Sequence, residues 1–280
     1  WRWLHGLVYR WGLPSMKIFK SKIEARLCFV EPVSISFDTF PNYTRYEIIP
    51  MVWDCWPQHF EKMCTWLKKY NVRTAIFTSS QTAERIKERS PKMNVMFCPE
   101  GIDTSKYIAG KTLQERSIDL LEFGRSTLNI NINGNENGNG NKEQIRYVCT
   151  KMNGKFQFSS EQLTETMGDA KITIALPRSV TDPKMAGDIE TLTQRYWECM
   201  LSRMIMVGQA PMELTDLIGY DPVIAMDREN SIEQIKDMLM HIDDYQPLVD
   251  KNRETALRLG DWSLRINQVM DWLQKCEYSV

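Results

Sequence analysis

The chain has 280 residues, enough for two modest domains that each bury a core of their own. Acids and bases nearly cancel, 36 against 35 for a net charge of -1, so no global basic field points to nucleic acid as a partner. Seven scattered cysteines without a Cys-x-x-Cys pair predict reduced thiols and a cytoplasmic setting. No window approaches the roughly 20 apolar residues needed to cross a bilayer. A first residue Trp1 in place of Met reads as a trimmed chain.

Residues 1–22 set Arg2, Arg10, Lys17, Lys20 and Lys22 among Trp1, Trp3, Tyr9 and Trp11, with no acid before Glu24. That composition suits a surface resting on anionic lipid headgroups; the plainer alternative is a segment whose tryptophans pack on the domain. ARLCFVEPVSISF and YEIIPMVW then read as β-rich runs flanking a turn-prone Asp38–Asn42. Pro57 opens a helix whose apolar face is Phe60, Met63, Cys64, Leu67 and Tyr70. RTAIFTSS is a buried strand before the polar helix QTAERIKERS, and NVMFCPEGID is a strand broken at Pro99 and Gly101. Three such units predict an α/β, Rossmann-like parallel sheet with its ligands at the carboxyl ends of the strands. Trp53, Asp54, Trp56 and His59 lie at one such end, although a lone histidine reads equally as structural.

SIDLLEFGRS restarts the alternation and puts Gly124 and Arg125 at a strand end, where glycine permits close approach and arginine offers a planar fork for phosphate. Residues 129–142 are an Asn/Gly-rich, flexible surface insertion. A helix-like run over Glu143–Thr150, a strand around Lys155–Phe158, a helix over Ser160–Gly168 and the buried strand AKITIALP follow. PRSVTDPKMAGD brings Arg178, Lys184 and Gly187 to the end of that strand, a grouping that fits a diphosphate or, equally, a solvated loop. In GDIETLTQRYWECMLSRMIMVG, a helix from Thr191 carries a polar stripe of Thr191, Gln194, Arg195 and Glu198. Asp188, Glu190 and the threonines are expected to cap its start, which would also attract an anion. MIMVG and DPVIAMD are further strands, Ser231 and Gln234 a capping box, and amphipathic helices through Trp262 and Trp272 end the chain.

Taken in order, these landmarks resemble the GT-B-fold retaining glycosyltransferases of the group 1, or family 4, type, as a compact or N-terminally truncated relative. NVMFCPEGIDTSKY is similar to that family's "PNGVD" segment, through Pro99, Glu100, Gly101, Ile102, Asp103 and Tyr107. LLEFGR is similar to its Gly-Arg opening of the second domain, and Glu190 with Glu198 forms its E-x7-E pair. The resemblance implies two Rossmann-like domains facing a cleft, both smaller than usual. They are an acceptor-side domain at 1–112 (with the lead at 1–24), a donor domain at 113–260, and a C-terminal helix at 261–280 that crosses back to the first domain.

By the same resemblance Glu198 would bind the ribose of a UDP- or GDP-sugar, and Glu190 the donor sugar's hydroxyls. Arg125, Gly124, Lys184, Arg178, Thr191, Gly187 and Arg195 would surround the diphosphate. Trp53, Trp56 and His59 would line the acceptor side. The implied reaction moves a sugar to a glycan or lipid-linked hydroxyl with retention, without a metal or other cofactor. Arg125, Lys184 or Arg178 would stabilise the leaving diphosphate, and Asp54 or Glu190 is the candidate acid-base group. The setting implied is polysaccharide or glycolipid biosynthesis at the cytoplasmic face of a membrane. The sequence departs from the family where Thr191-Leu192 replaces Gly-Phe-Gly and Trp53-Asp54 replaces His-Asp. Those departures keep a second expectation open, an inactive glycosyltransferase-like binding module. Another nucleotide-using Rossmann enzyme would be expected to carry G-x-G-x-x-G, which is absent.

Overall fold

The computed structural model describes residues 25–44, 46–124, 145–152, 155–156 and 158–278. The basic lead and the Asn/Gly insertion fall outside them. The chain divides into two compact units. Unit 1 comprises the residues up to Glu100, the segment Arg178–Leu192 and the tail from Arg265; unit 2 comprises Gly101–Pro177 and Thr193–Leu264.

Unit 1 alternates β1 (Ala25–Val30), α1 (Ile35–Asp38), β2 (Glu47–Val52), α2 (Pro57–Lys69), β3 (Thr74–Phe77), α3 (Ser80–Arg89) and β4 (Asn94–Phe97). Its four strands are parallel in the order β1-β2-β3-β4. Every residue of β2 and β3 is buried, the pattern of strands covered on both faces. Pro57 occupies the first turn of α2, where its missing N–H costs nothing, and α2 buries Met63, Trp66 and Leu67. The Ser79 hydroxyl caps α3 by accepting the Thr82 N–H at 3.4 Å.

The first β-rich run is a strand only as far as Val30. Beyond Pro32 the residues VSISF turn into α1, where Ser34 donates to the Asp38 carboxylate and Thr39 Oγ1 donates to the Ile35 carbonyl at 2.6 Å. Such local bonds, one to a neighbouring carboxylate and one to the backbone, offer the segment an alternative to a strand ladder.

Unit 2 begins with β5 (Ile118–Glu122), β6 (Tyr147–Cys149), the small hairpin of β7 (Lys151–Met152) and β8 (Lys155–Phe156), α4 (Ser160–Gly168) and β9 (Ala170–Ala175). The chain then enters unit 1 for α5 (Arg178–Thr181) and α6 (Pro183–Ala186). It returns to unit 2 with α7 (Gln194–Leu201), β10 (Ile205–Gly208), α8 (Met212–Ile218), β11 (Val223–Ala225), α9 (Ser231–Met240) and α10 (Gln246–Leu259). α11 (Trp262–Lys275) closes the described chain, most of it in unit 1.

The main sheet of unit 2 is parallel in the order β11-β10-β9-β5-β6. Consecutive strands diverge to opposite sides of β5, so its junction with β9 is a topological switch point, where ligands of open α/β sheets bind. Leu120, Ile172, Ile205 and Val207 pack against Ile235 and Val249 to form the core.

Three local expectations are corrected here. The helix-like run before Thr150 contains the edge strand β6, because Tyr147, Val148 and Cys149 pair with Leu120, Leu121 and Glu122 and fit a pleated surface better than a helix. α7 starts at Gln194, so Asp188 and Glu190 lie outside its first turn and do not cap it. Ser231 and Gln234 form no capping box. Gln234 instead accepts the Asp227 N–H at 2.9 Å and donates to the Ala225 carbonyl at 2.8 Å, closing the loop after β11.

Candidate functional site

At the switch point of unit 2, β5 runs out through Phe123 into Gly124, whose φ of +73° is open to glycine and strained for other residues. A β-carbon there would lie 2.2 Å from Arg195 Nη2, so the guanidinium rests directly against the backbone. The same guanidinium carbon stands 5.5 Å from the centre of the Phe123 ring. Arg195 is the second residue of α7, and one turn later Glu198 points the same way along the helix.

The Tyr107 hydroxyl donates to Glu198 Oε1 at 2.9 Å. Burial pushes the Glu198 carboxyl above its ordinary value, while Tyr107's hydrogen bond and the charge of Arg195 pull it back. Tyr107 is itself raised, by burial first and then by Glu198. The segment carrying Tyr107 is fastened at its other end. Ile102 donates to the Gly260 carbonyl at 2.8 Å, and Trp262 donates to the Ile102 carbonyl at 3.1 Å. Asp261 accepts the Thr104 hydroxyl at 2.9 Å, and hydrogen bonds from Ser263 and Thr104 bring its carboxyl down to about 2.

In unit 1, β2 runs out through Trp53 into Asp54, a non-glycine residue at φ +50° whose carbonyl accepts the Trp56 N–H at 2.9 Å. A small pocket at the carboxyl ends of β2 and β3 is lined by Asp54, Trp56, Thr78, Ser79, Ile189 and Thr191. The buried Trp56 ring packs with Met185, Ala186 and Ile189. Over its face, at 4.9 Å, lies the guanidinium of Arg178, which also pairs with Asp182 at 3.2 Å.

Gly187, at φ +57°, turns the chain beside Pro57 into the strip that carries Glu190. The side-chain amide of Gln81 donates to the Asp188 carbonyl at 2.9 Å and accepts the Glu190 N–H at 2.8 Å. Arg85 pairs with the Asp188 carboxylate at 2.6 Å and holds it below the ordinary range. Ser179 Oγ donates to Glu190 Oε1 at 3.2 Å.

The structure thus gathers Gly124, Arg195 and Glu198 in unit 2, and Asp54, Trp56, Arg178, Gly187, Glu190 and Thr191 in unit 1. Lys184 is exposed on α6. Trp53 packs on Phe29 with ring centres 5.3 Å apart, and His59 meets the Gln58 amide at 3.2 Å in the first turn of α2. Arg125 lies outside the described residues. Gln81 and Ser179 were not singled out by the sequence, in which each is one polar residue in a polar helix or loop. Among the described residues, no three or more His, Cys, Asp and Glu side chains gather as a metal site. Nor is any helix among them long and apolar enough to cross a membrane.

The sequence matches no protein-family model and no curated protein. Solved structures do share its architecture. Sucrose-phosphate synthase from Thermosynechococcus elongatus aligns with a TM-score of 0.61 at 11% identity, over 89% of this chain and 73% of that one. HepE of Anabaena, in complex with UDP and glucose, aligns at 0.55 and 11% identity, over 89% and 78%. TarM aligns at 0.54 and 8% identity, over 89% of this chain and 54% of its own. With its two parallel sheets, the chain therefore has the two-domain, Rossmann-like fold of the GT-B type.

Proposed function

We propose that the chain is a glycosyltransferase that moves a sugar from a nucleoside-diphosphate sugar to an acceptor hydroxyl. The observation that carries this reading is the hydrogen bond from Tyr107 to Glu198 at the switch-point end of unit 2. It joins two sequence landmarks that are 91 positions apart at the place where an open parallel sheet binds nucleotides. A fold shared with HepE, solved with UDP-glucose, supports the same donor class.

In this reading Glu198 accepts the ribose hydroxyls, the desolvated carboxylate exchanging one hydroxyl partner for another. Arg195 lies against Gly124, and Arg125 follows it in the chain, so cationic groups accompany the diphosphate at the end of β5. The bond from the anomeric carbon to the diphosphate oxygen breaks with its electron pair going to the diphosphate. The acceptor oxygen bonds to that carbon, and its proton passes to the leaving phosphate. Glu190 takes the donor sugar's hydroxyls, Lys184, Arg178 and Thr191 support the diphosphate, and Asp54, Trp53, Trp56 and His59 belong to the acceptor side. Retention of configuration, independence of a metal, and a role in polysaccharide or glycolipid synthesis at the cytoplasmic face of a membrane complete the proposal. The basic, aromatic residues 1–22 would supply the membrane contact.

Thermal-shift measurement against UDP, GDP, ADP, CMP and NAD tests the donor class. A nucleoside diphosphate at a hundred times its dissociation constant stabilises the fold by about 2.7 kcal/mol. A response to NAD alone overturns the proposal. Diphosphate release from UDP-glucose or GDP-mannose then tests turnover. Binding without any release favours the inactive module, the reading to which Trp53-Asp54 and Thr191-Leu192 lend support.

A further inference from the structure

Glu190 sits on a strip of chain with no regular secondary structure, from Gly187 to Thr193, and one side chain holds that strip in two places. The Gln81 amide accepts the Glu190 N–H at 2.8 Å and donates to the Asp188 carbonyl at 2.9 Å. A primary amide that bonds the N–H of one residue and the C=O of the residue two before it reproduces the pairing a neighbouring strand would give. The strip is thereby fixed in register without a strand beside it. Gln81 is suited to this because it stands in the first turn of α3, whose start is locked by the Ser79 cap just after the fully buried β3. One turn further along the same helix, Arg85 binds the Asp188 carboxylate at 2.6 Å. Two residues of one helix face therefore grip consecutive points of the strip.

The grip decides where the Glu190 carboxylate stands. The backbone of Glu190 is fixed by Gln81, and its side chain is met by Ser179 Oγ at 3.2 Å, so the rotamer is held from both ends. Ile189, between the two gripped residues, is buried against Trp56, while Thr191 lines the Asp54 pocket; a released strip would disturb both. We propose that Gln81 is the positioning residue for Glu190, setting the orientation of that carboxylate toward the donor sugar through a paired backbone bond. This inference rests on the glycosyltransferase reading.

Gln81→Met removes both hydrogen bonds at nearly constant side-chain length, and Gln81→Glu keeps the acceptor facing the Glu190 N–H. Amide hydrogen exchange reads the grip without any substrate. In Gln81→Met, exchange over residues 187–191 is expected to speed up about tenfold or more while peptides from β2 and β3 stay unchanged. Gln81→Glu is expected to retain most of the protection at Glu190. Unchanged exchange in Gln81→Met, or an equal loss throughout unit 1, overturns the grip.

Diphosphate release from UDP-glucose or GDP-mannose, whichever the parent turns over, reads the positioning. Gln81→Met is expected to lower kcat by about ten- to a hundredfold with the donor KM within about threefold of the parent. Added to Glu190→Gln, it is expected to lower kcat no further, because the group it orients is already altered. A raised KM at unchanged kcat, or multiplicative losses in the double variant, overturns the positioning role. Absence of turnover in the parent overturns the enzymatic reading and the role together, and the exchange measurement still decides whether Gln81 holds the strip.

Discussion

Glu198 is a desolvated carboxylate with one hydroxyl donor and a cation one turn away, and its environment raises its protonation range. Because its proton is favoured in the folded state, ionising it on the way to neutral pH costs stability, the reverse of the effect of a salt-bridged acid. Glu198→Gln is therefore expected to melt no lower than the parent at neutral pH, since an amide oxygen can still accept from Tyr107. Nucleoside diphosphate affinity in that variant should fall about tenfold, the value of one charged hydrogen bond. In the parent, affinity should decline on acidification at a pH above the ordinary glutamate range near 4.3, and the variant should lose that limb. Calorimetric titration with UDP or GDP across pH 4 to 8 checks both arms. The two glutamates were picked out in the sequence by their resemblance to the family's E-x7-E pair. Their pairings were not, since Tyr107, a landmark of the PNGVD-like segment, and Gln81 approach them only through the fold, and no local pattern marks a tyrosine or glutamine that will meet a carboxylate or a backbone amide from a distant segment.

At the scale of elements, the apolar runs foretold most of the strands, because a strand covered on both faces must be largely apolar, as in AKITIALP and RTAIFTSS. The misses fall where polar side chains chose between local and distant partners. VSISF closed on itself through Ser34 and Thr39, and Gln234 reached back to the loop at Asp227 instead of capping its own helix. Arg116 shows what such choices can hold together. Buried just before β5, its guanidinium donates to the carbonyls of Ala109, Lys111, Ala170 and Ser202 at 2.7 to 3.1 Å. It thereby ties the entry of β5 to the first residue of β9 and the end of α7. Burial lowers its pKa to about 10, which leaves it charged at neutral pH. Arg116→Met strands four carbonyls and should destabilise the protein by about 3 kcal/mol or more, read as a shift in the urea midpoint at constant slope.

For the whole molecule, the parallel sheets and their alternation with helices were legible from the order of strands and turns. The excursion of Arg178–Leu192 into unit 1 was not, because a chain crossing leaves no compositional mark at Pro177 or Leu192. Unit 1 depends on its last segment through a specific contact. The Tyr278 hydroxyl donates to the buried Glu47 carboxylate at 2.6 Å and lies 2.8 Å from Thr74 Oγ1, joining the tail to the starts of β2 and β3. A chain ending at Leu264 is expected to lose protection from hydrogen exchange in β1 to β4 while β5, β9 and β10 keep theirs. Equal loss in both sheets would contradict the division into units.

The interleaved allocation bears on how the protein is made. Residues 25–100 leave the ribosome before the rest of their unit, whose last segment begins only at Arg265. At roughly 5–20 residues per second, the buried faces of β2 and β3 wait about ten to thirty seconds for it. During that interval the nascent sheet is a natural client for chaperones, and slower translation of the codons for residues 101–264 would lengthen its exposure to aggregation.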